Sequence, residues 1–268
     1  YLNHEDWRGL LTWAASLTDE PFQYYSSRVE GDLPQVASDV AAAFHEKWWH
    51  DDDYEESRAE WAAEVRSLAD PLKIEIARKL LVAGRTTDPA LVEELEVLGS
   101  CHVDGIVTTN YDRLLEEIFP EYAVFVGQED LLLSRSYQLG EIYKIHGSLS
   151  SPSSMVLTAE DYAKFDEASP YLVSKLMSVF VEHPIVFLGY SLTDRNIRTI
   201  LTSLLKCLDR ERLEHFKQRF IWVEWSPDDG ASSMGDHVID LGEGRLLPVV
   251  RVQSPSYKPV FDILGGLE

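Results

Sequence analysis

The hydrophobic pattern changes character once along the chain, near residue 100. From Trp7 to about Gly99 apolar positions recur at three- and four-residue spacing, the period of amphipathic helices, and no alternating run marks a strand. Trp7, Leu10, Leu11 and Ala14 form one stripe; Val36, Val40, Ala43 and Phe44 a second; Ile74, Ala77, Leu80 and Leu81 a third. Pro21, Pro34, Pro71 and Pro89 punctuate them. From Cys101 onward short apolar or β-branched runs alternate with helical stretches, predicting strands over 105–110, 123–126, 142–145, 155–158, 185–188, 220–223 and 246–252. This alternation predicts an α/β fold: a Rossmann-like, mostly parallel sheet with flanking helices and an N-terminal helical layer. Residues 1–98 read as the mainly helical subdomain and 99–268 as the Rossmann-like core.

Three predicted strands end abruptly in polar side chains. Gly105-Ile106-Val107 runs into Thr108-Thr109-Asn110-Tyr111-Asp112, and Leu114, Leu115, Ile118 and Phe119 then repeat at helical spacing. Glu141-Ile142-Tyr143-Lys144-Ile145 stops at His146-Gly147. Ile185-Val186-Phe187-Leu188 stops at Gly189-Tyr190-Ser191, and a helix follows with Ile197, Ile200, Leu201, Leu204 and Leu205 on one face. In an open parallel sheet, ligands bind at the carboxyl edge, where turns aim helix N-termini and free N–H groups at a crevice. If the strands are parallel, Asn110, His146 and Ser191 converge there. The serine-rich stretch 148–154 reads as a mobile loop beside His146, either closing over a ligand or forming a plain surface turn.

Charge narrows the partners. With 24 Lys plus Arg against 46 Asp plus Glu, the formal charge is -22, a field that opposes any nucleic-acid backbone. No direct nucleic-acid binding is expected, and an anionic ligand must be held locally by backbone N–H groups and helix ends. Cys101 and Cys207 are the only cysteines, in no metal-type spacing, which suits a reducing, cytoplasmic setting. No apolar run reaches membrane-spanning length and the first residues lack signal-peptide character, so no membrane partner is expected. The chain opens on Tyr1 rather than Met, and its natural N-terminus is expected upstream.

The remaining clusters have plainer readings. Five of the seven tryptophans lie in the helical part, where packing is the first use of a large aromatic, ahead of a cofactor wall or a partner surface. The acidic run 50–56 lacks the spaced ligands and central glycine of a calcium loop and reads as a solvated connection; no metal is expected. No Walker loop, dinucleotide glycine fingerprint, nucleophile elbow or zinc-protease signature is present. Thr109-x-x-Asp112, Ser191-x-x-Asp194 and Thr158-x-x-Asp161 all fit the capping-box template, so Asp112, Ser191 and Asp194 are open to two readings, helix capping alone or a functional role. Asn110 and His146 complete none of these boxes and are poor strand residues.

Taken together, Thr-Thr-Asn-Tyr-Asp at 108–112, His146-Gly147 and Gly189-Tyr190-Ser191-Leu192-Thr193-Asp194 resemble the sirtuin-like family. More narrowly, they and the Met-Val-Leu-Thr-Ala-Glu-Asp-Tyr stretch at 155–162 resemble its prokaryotic antiphage-defence branch, which hydrolyses NAD. The resemblance spans residues 105–200, and Trp7–Leu11 resembles the segment that follows the family's first loop. That loop, a Gly-Ala-Gly phosphate cradle, is expected before Tyr1. Protein-deacylating sirtuins insert a four-Cys zinc module after the His-Gly strand; here the serine-rich stretch stands in its place.

The resemblance implies roles. Cleaving the nicotinamide–ribose bond builds oxocarbenium-like charge on the sugar while nicotinamide leaves neutral, so orientation and water placement are what the protein must supply. Asn110, donor and acceptor at once, would hold the ribose and place the water. His146 would take a proton from a ribose hydroxyl or that water, a neutral imidazole being available near pH 7. Asp112 would face the carboxamide, Gly189 and Ser191 would line the nucleotide pocket, and Thr108, Tyr111 and Asp194 are further binding candidates. The implied activity is an NAD hydrolase yielding nicotinamide and ADP-ribose, the effector of an antiphage, abortive-infection system. The implied partners are further copies in a homo-oligomer, a fused sensor domain, a hexameric ATPase or an Argonaute. An NAD-dependent protein deacylase and a non-catalytic nucleotide-binding scaffold are the alternatives.

Overall fold

In the computed structural model the described residues are 1–2, 6–133, 140–168, 170–189, 194–207, 213, 216–227, 232–242 and 244–266. Among them, every regular element up to Gly99 is helical: α1 (Trp7–Ser16), α2 (Phe22–Arg28), α3 (Leu33–His50), α4 (Glu55–Trp61), α5 (Asp70–Leu81) and α6 (Pro89–Gly99). In α3 the Asp32 carboxylate caps the first turn by accepting the Gln35 N–H at 3.2 Å, and Pro34 sits where a missing N–H does no harm. Its buried stripe is Val36, Ala37, Val40, Ala41, Phe44 and Trp48. Ala43, expected in that stripe, is exposed, because the buried ridge follows four-residue steps from Val36 to Trp48 and leaves Ala43 on its flank. Leu81, at the very end of α5, is likewise exposed.

The N-terminal tryptophans serve this core. Trp48 is fully buried, its indole N–H donating to the Glu75 carboxylate at 3.0 Å and to Ser57 Oγ at 3.3 Å. Trp7, Trp13, Trp49 and Trp61 pack half-buried around the same cluster.

Two sheets follow. In the first, β3 (Glu141–Lys144) lies between β1 (Gly105–Thr108) and β2 (Ala123–Val126), and both pairings are parallel. Helices α7 (Leu114–Ile118) and α8 (Gly127–Leu133) intervene along the chain, as parallel neighbours require. The inner strand is buried at Ile142, Tyr143 and Lys144, as expected of a strand covered on both faces. In the second sheet the order is β4 (Ile185–Leu188), β5 (Phe220–Trp225), β7 (Leu246–Ser254), β6 (Ser233–Asp240), parallel except for the β6–β7 pair. The fold is α/β and Rossmann-like, with helices flanking parallel sheets.

By compactness the chain divides into two units, 1–95 with 103–168, and 96–102 with 169–268. The first therefore holds the helical layer and the β1-β3-β2 sheet, and the second holds the four-stranded sheet. In the second unit α10 (Pro170–Glu182) buries Leu172, Leu176 and Phe180, and α11 (Arg195–Lys206) buries Ile197, Ile200, Leu201 and Leu204. Cys101 is buried there too; burial pushes its thiol up, and it donates to the Phe261 carbonyl at 3.3 Å, a structural role.

Two elements differ from those the sequence pattern predicts. Residues 155–158 form no strand: a 3-10 turn at Pro152–Ser154 precedes them and α9 (Ala159–Ala168) starts right after. Met155 and Leu157 are buried in the helical core instead, so the run is apolar for a different neighbour. Conversely, β6 was not expected, since Ser233-Met234-Gly235-Asp236 carries no alternation; an edge strand with a largely exposed surface needs none.

The entry to α9 is tightly determined. Thr158 donates its N–H and Oγ1 to Asp161 Oδ2, both at 2.8 Å, while Asp161 N–H returns to Thr158 Oγ1 at 3.3 Å, a complete capping box. Lys73 of α5, 2% exposed, meets Asp161 Oδ1 at 2.7 Å. Burial raises the Asp161 pKa, but the Lys73 ammonium and the Thr158 hydrogen bonds outweigh it and hold the carboxyl below its usual range. Asp161→Asn should cost about 3 kcal/mol at pH 7, the scale of breaking a buried pair. A carboxyl depressed in the folded state stabilises fully above its unfolded value of about 3.9 and progressively less as pH falls toward the folded one. Denaturant unfolding at both ends checks this: the gap between wild type and variant should shrink on going from pH 7 to below pH 4.

Candidate active site

The edge formed by β1 and β3 carries the two principal candidates. Thr108 pairs with Lys144, and the Ile145 N–H donates to the Thr108 carbonyl at 3.0 Å, extending the parallel register one step. Counting two residues past each partner, Asn110 and His146 leave the sheet at the same carboxyl edge. Asn110 is exposed and His146 is 4% exposed. Thr108 contributes to the turn, its Oγ1 accepting the Asn110 N–H at 3.1 Å.

The turn after β1 is held from the segment after β3. Tyr111 donates its hydroxyl to the Val156 carbonyl at 2.7 Å, and its own carbonyl accepts the Leu149 N–H at 3.0 Å. The Lys144 side chain, wholly buried, donates to the Asp112 carbonyl and to Glu116 Oε1 at 2.7 Å. Asp112 is buried, and its carboxylate accepts the Leu114 N–H at 2.9 Å. The 109–112 capping box does not form, because α7 begins at Leu114 with Arg113 at the N-cap, too late for Asp112 to be its third residue.

His146 sits against two aromatic edges from α9: Tyr162 at 5.6 Å between ring centroids and 78°, Phe165 at 6.0 Å and 81°. Trp7 lies 6.1 Å beyond Tyr162. After His146 the chain reverses through Gly147, whose φ of +91° is left-handed. A Cβ there would lie 2.3 Å from the Ser154 carbonyl oxygen. The serine-rich stretch is a bonded turn rather than a mobile loop: Ser148 N–H donates to Ser154 Oγ at 3.0 Å, Ser151 N–H to the Ser148 carbonyl at 3.0 Å, and Leu149 and Pro152 are buried.

In the second unit β4 ends at Leu188 and Gly189 takes a left-handed φ of +60°. Ser191, with Tyr190, Leu192 and Thr193, lies outside the described residues. Asp194 is the N-cap of α11, accepting the N–H groups of Asn196 at 2.9 Å and Ile197 at 3.1 Å, so capping is what its carboxylate is seen to do. Among the described residues no group of three or more His, Cys, Asp or Glu side chains is arranged to hold a metal. Lys144, Tyr162 and Phe165 escaped the sequence reading. Aromatics at three-residue spacing on α9 were a signal available for Tyr162 and Phe165; Lys144 reads only as the polar member of the alternation in Glu141-Ile142-Tyr143-Lys144-Ile145.

Residues 104–236 match the SIR2-like domain, from the residue before β1 to the middle of β6. Over these residues the chain carries a SIR2-like domain and is similar to the sirtuin-like family. Among its relatives, the NAD(+) hydrolase ThsA of Bacillus cereus (strain MSX-D12) is 30% identical over 135 residues, 47% of this chain and 27% of that protein. ThsA of Cytobacillus dafuensis is 25% identical over 142 residues, 52% of this chain and 29% of the relative. Defense-associated sirtuin 2 of Bacillus subtilis is 26% identical over 159 residues, 57% and 15% respectively. The chain thus spans less than a third of the length of these relatives. In this sirtuin-like domain the Asn-Tyr-Asp turn and the His-Gly turn share one sheet edge.

Gly147→Ala should lower stability by about 2–3 kcal/mol, since it adds a left-handed alanine to a backbone overlap. Thermal unfolding checks this; a variant as stable as wild type would show that the His146 turn can relax.

Proposed function

We propose that this chain is the NAD-cleaving module of an antiphage defence protein and hydrolyses NAD to nicotinamide and ADP-ribose. The observation that carries the reading is the shared edge: parallel pairing of β1 with β3 brings Asn110 and His146 out of one sheet side by side. The names of the relatives, NAD hydrolases and a defence-associated sirtuin, supply the substrate and the setting.

The chemistry asks for little beyond orientation. The bond between ribose C1′ and the nicotinamide nitrogen breaks with its electrons leaving on nicotinamide, which departs neutral, and the sugar takes on oxocarbenium character. Water then forms the new bond at C1′. Asn110, exposed at the turn and able both to donate and to accept, holds a ribose hydroxyl and places that water. His146 accepts the proton, its ring set by Tyr162 and Phe165. Asp112 faces the carboxamide. With so acidic a chain, the phosphates rely on backbone N–H groups and helix ends. Assembly into a homo-oligomer, or with a sensor, ATPase or Argonaute partner, controls when cleavage starts.

Nicotinamide release by the full-length protein, with and without an acyl-lysine peptide, tests the reading. Release from NAD alone is expected; release that requires the peptide would make the protein a deacylase, and nucleotide binding without turnover would make it a scaffold. His146→Ala should lower turnover by about two to four orders of magnitude, the scale of a general base, and Asn110→Ala should remove most of it, both with the fold intact. Near-normal turnover in either variant removes that residue from the mechanism.

A further inference from the structure

We propose that Lys144 is a positioning residue for Asn110, acting through the Asp112 carbonyl; the catalytic part of this rests on the function proposed above. Lys144 occupies the inner strand with a side chain that is 0% exposed, a place where an apolar side chain of equal length would pack without desolvating a charge. What the ammonium adds is a grip on two points of the neighbouring segment, the Asp112 backbone oxygen and Glu116 Oε1. Among the described residues the buried Glu116 Oε2 has no hydrogen-bond partner, so this carboxylate is drawn in to neutralise the lysine at the expense of its own second oxygen.

The grip closes a short span. At its start Thr108 is fixed in the sheet and caps the Asn110 N–H; in its middle Tyr111 is bonded to Leu149 and Val156; at its end Lys144 holds Asp112. Asn110 lies between these fixed points with its side chain exposed. Releasing the last of them lets the turn pivot about Tyr111, and the Asn110 amide moves with it. A displacement near 1 Å is enough to cost about a hundredfold in a reaction that depends on near-attack geometry.

The decisive variant is the double replacement Lys144→Met with Glu116→Met, made in the full-length protein, because it removes both charges at once and spares the fold an unpaired ion. Thermal stability should stay close to wild type. Hydrogen exchange in the 109–114 segment should nonetheless quicken by about tenfold or more, with α3 and α5 unchanged. In nicotinamide release, kcat should fall about tenfold to a hundredfold with KM within about twofold. A purely structural role would return activity along with stability. Wild-type exchange in that segment, or wild-type kcat in a stable double variant, overturns the proposal. If the double variant does not fold, the single Lys144→Met carries the same expectation, since Glu116 has 17% of its side chain exposed and can turn outward. A wild-type protein that never releases nicotinamide tells against the proposed function alone, and the exchange measurement still decides what Lys144 does.

Discussion

The site depends on the clamp between the turn after β1 and the segment after β3. Leu149, Met155 and Leu157, from that second segment, are buried in the same cluster as Val40, Phe44 and Leu72 of the helical layer. Burying each such side chain is worth about 1.5–3 kcal/mol, whereas each hydrogen bond of the clamp contributes about 1 kcal/mol net. Hydrophobic burial therefore supplies the force and the hydrogen bonds supply the geometry. The helical layer is the wall against which the His146 turn is set.

That division explains why the two central residues differ so much in exposure. His146 is enclosed, with its ring direction decided by the edges of Tyr162 and Phe165, and α9 is itself fixed by the Thr158–Asp161 box and by Lys73. Asn110 stands at an open turn whose backbone alone is restrained. This contrast is consistent with the roles proposed above: a proton acceptor benefits from a rigid, partly dry setting, and a group that meets an incoming sugar benefits from access. In the second unit Gly189 is left-handed at the end of β4 and Asp194 caps α11, and that cap occupies the Asn196 and Ile197 N–H groups that would otherwise face an anion.

Much of this was legible in the sequence because it rests on local rules. Strands β1, β3 and β4 announced themselves as short strand-like runs ending in polar residues; the parallel pairing of β1 with β3, which the sequence left conditional, then put Asn110 and His146 at one edge, while Ser191, expected there too, lies outside the described residues. The helical layer followed from its three- and four-residue spacing. What escaped depended on tertiary neighbours. Residues 155–158 have the composition of a strand, yet their apolar side chains answer to the helical core. β6 has no strand pattern, because an edge strand is defined by the partner it pairs with. Lys144 looked like the polar member of an alternation, and its ion pair with Glu116 is invisible until the inner strand is known to be covered on both faces. The serine-rich stretch suggested a free loop by composition, whereas its serines bond to one another.

The claim that stands or falls with everything else is that one sugar touches both strand ends. A crystal structure of the full-length protein carrying His146→Gln, soaked with intact NAD, examines it directly. The account requires the nicotinamide ribose to lie within hydrogen-bond reach, about 3 Å, of the Asn110 amide and of the residue at 146 in the same molecule. NAD bound with its ribose against some other edge of the sheet, or with Asn110 turned away from it, would contradict the account.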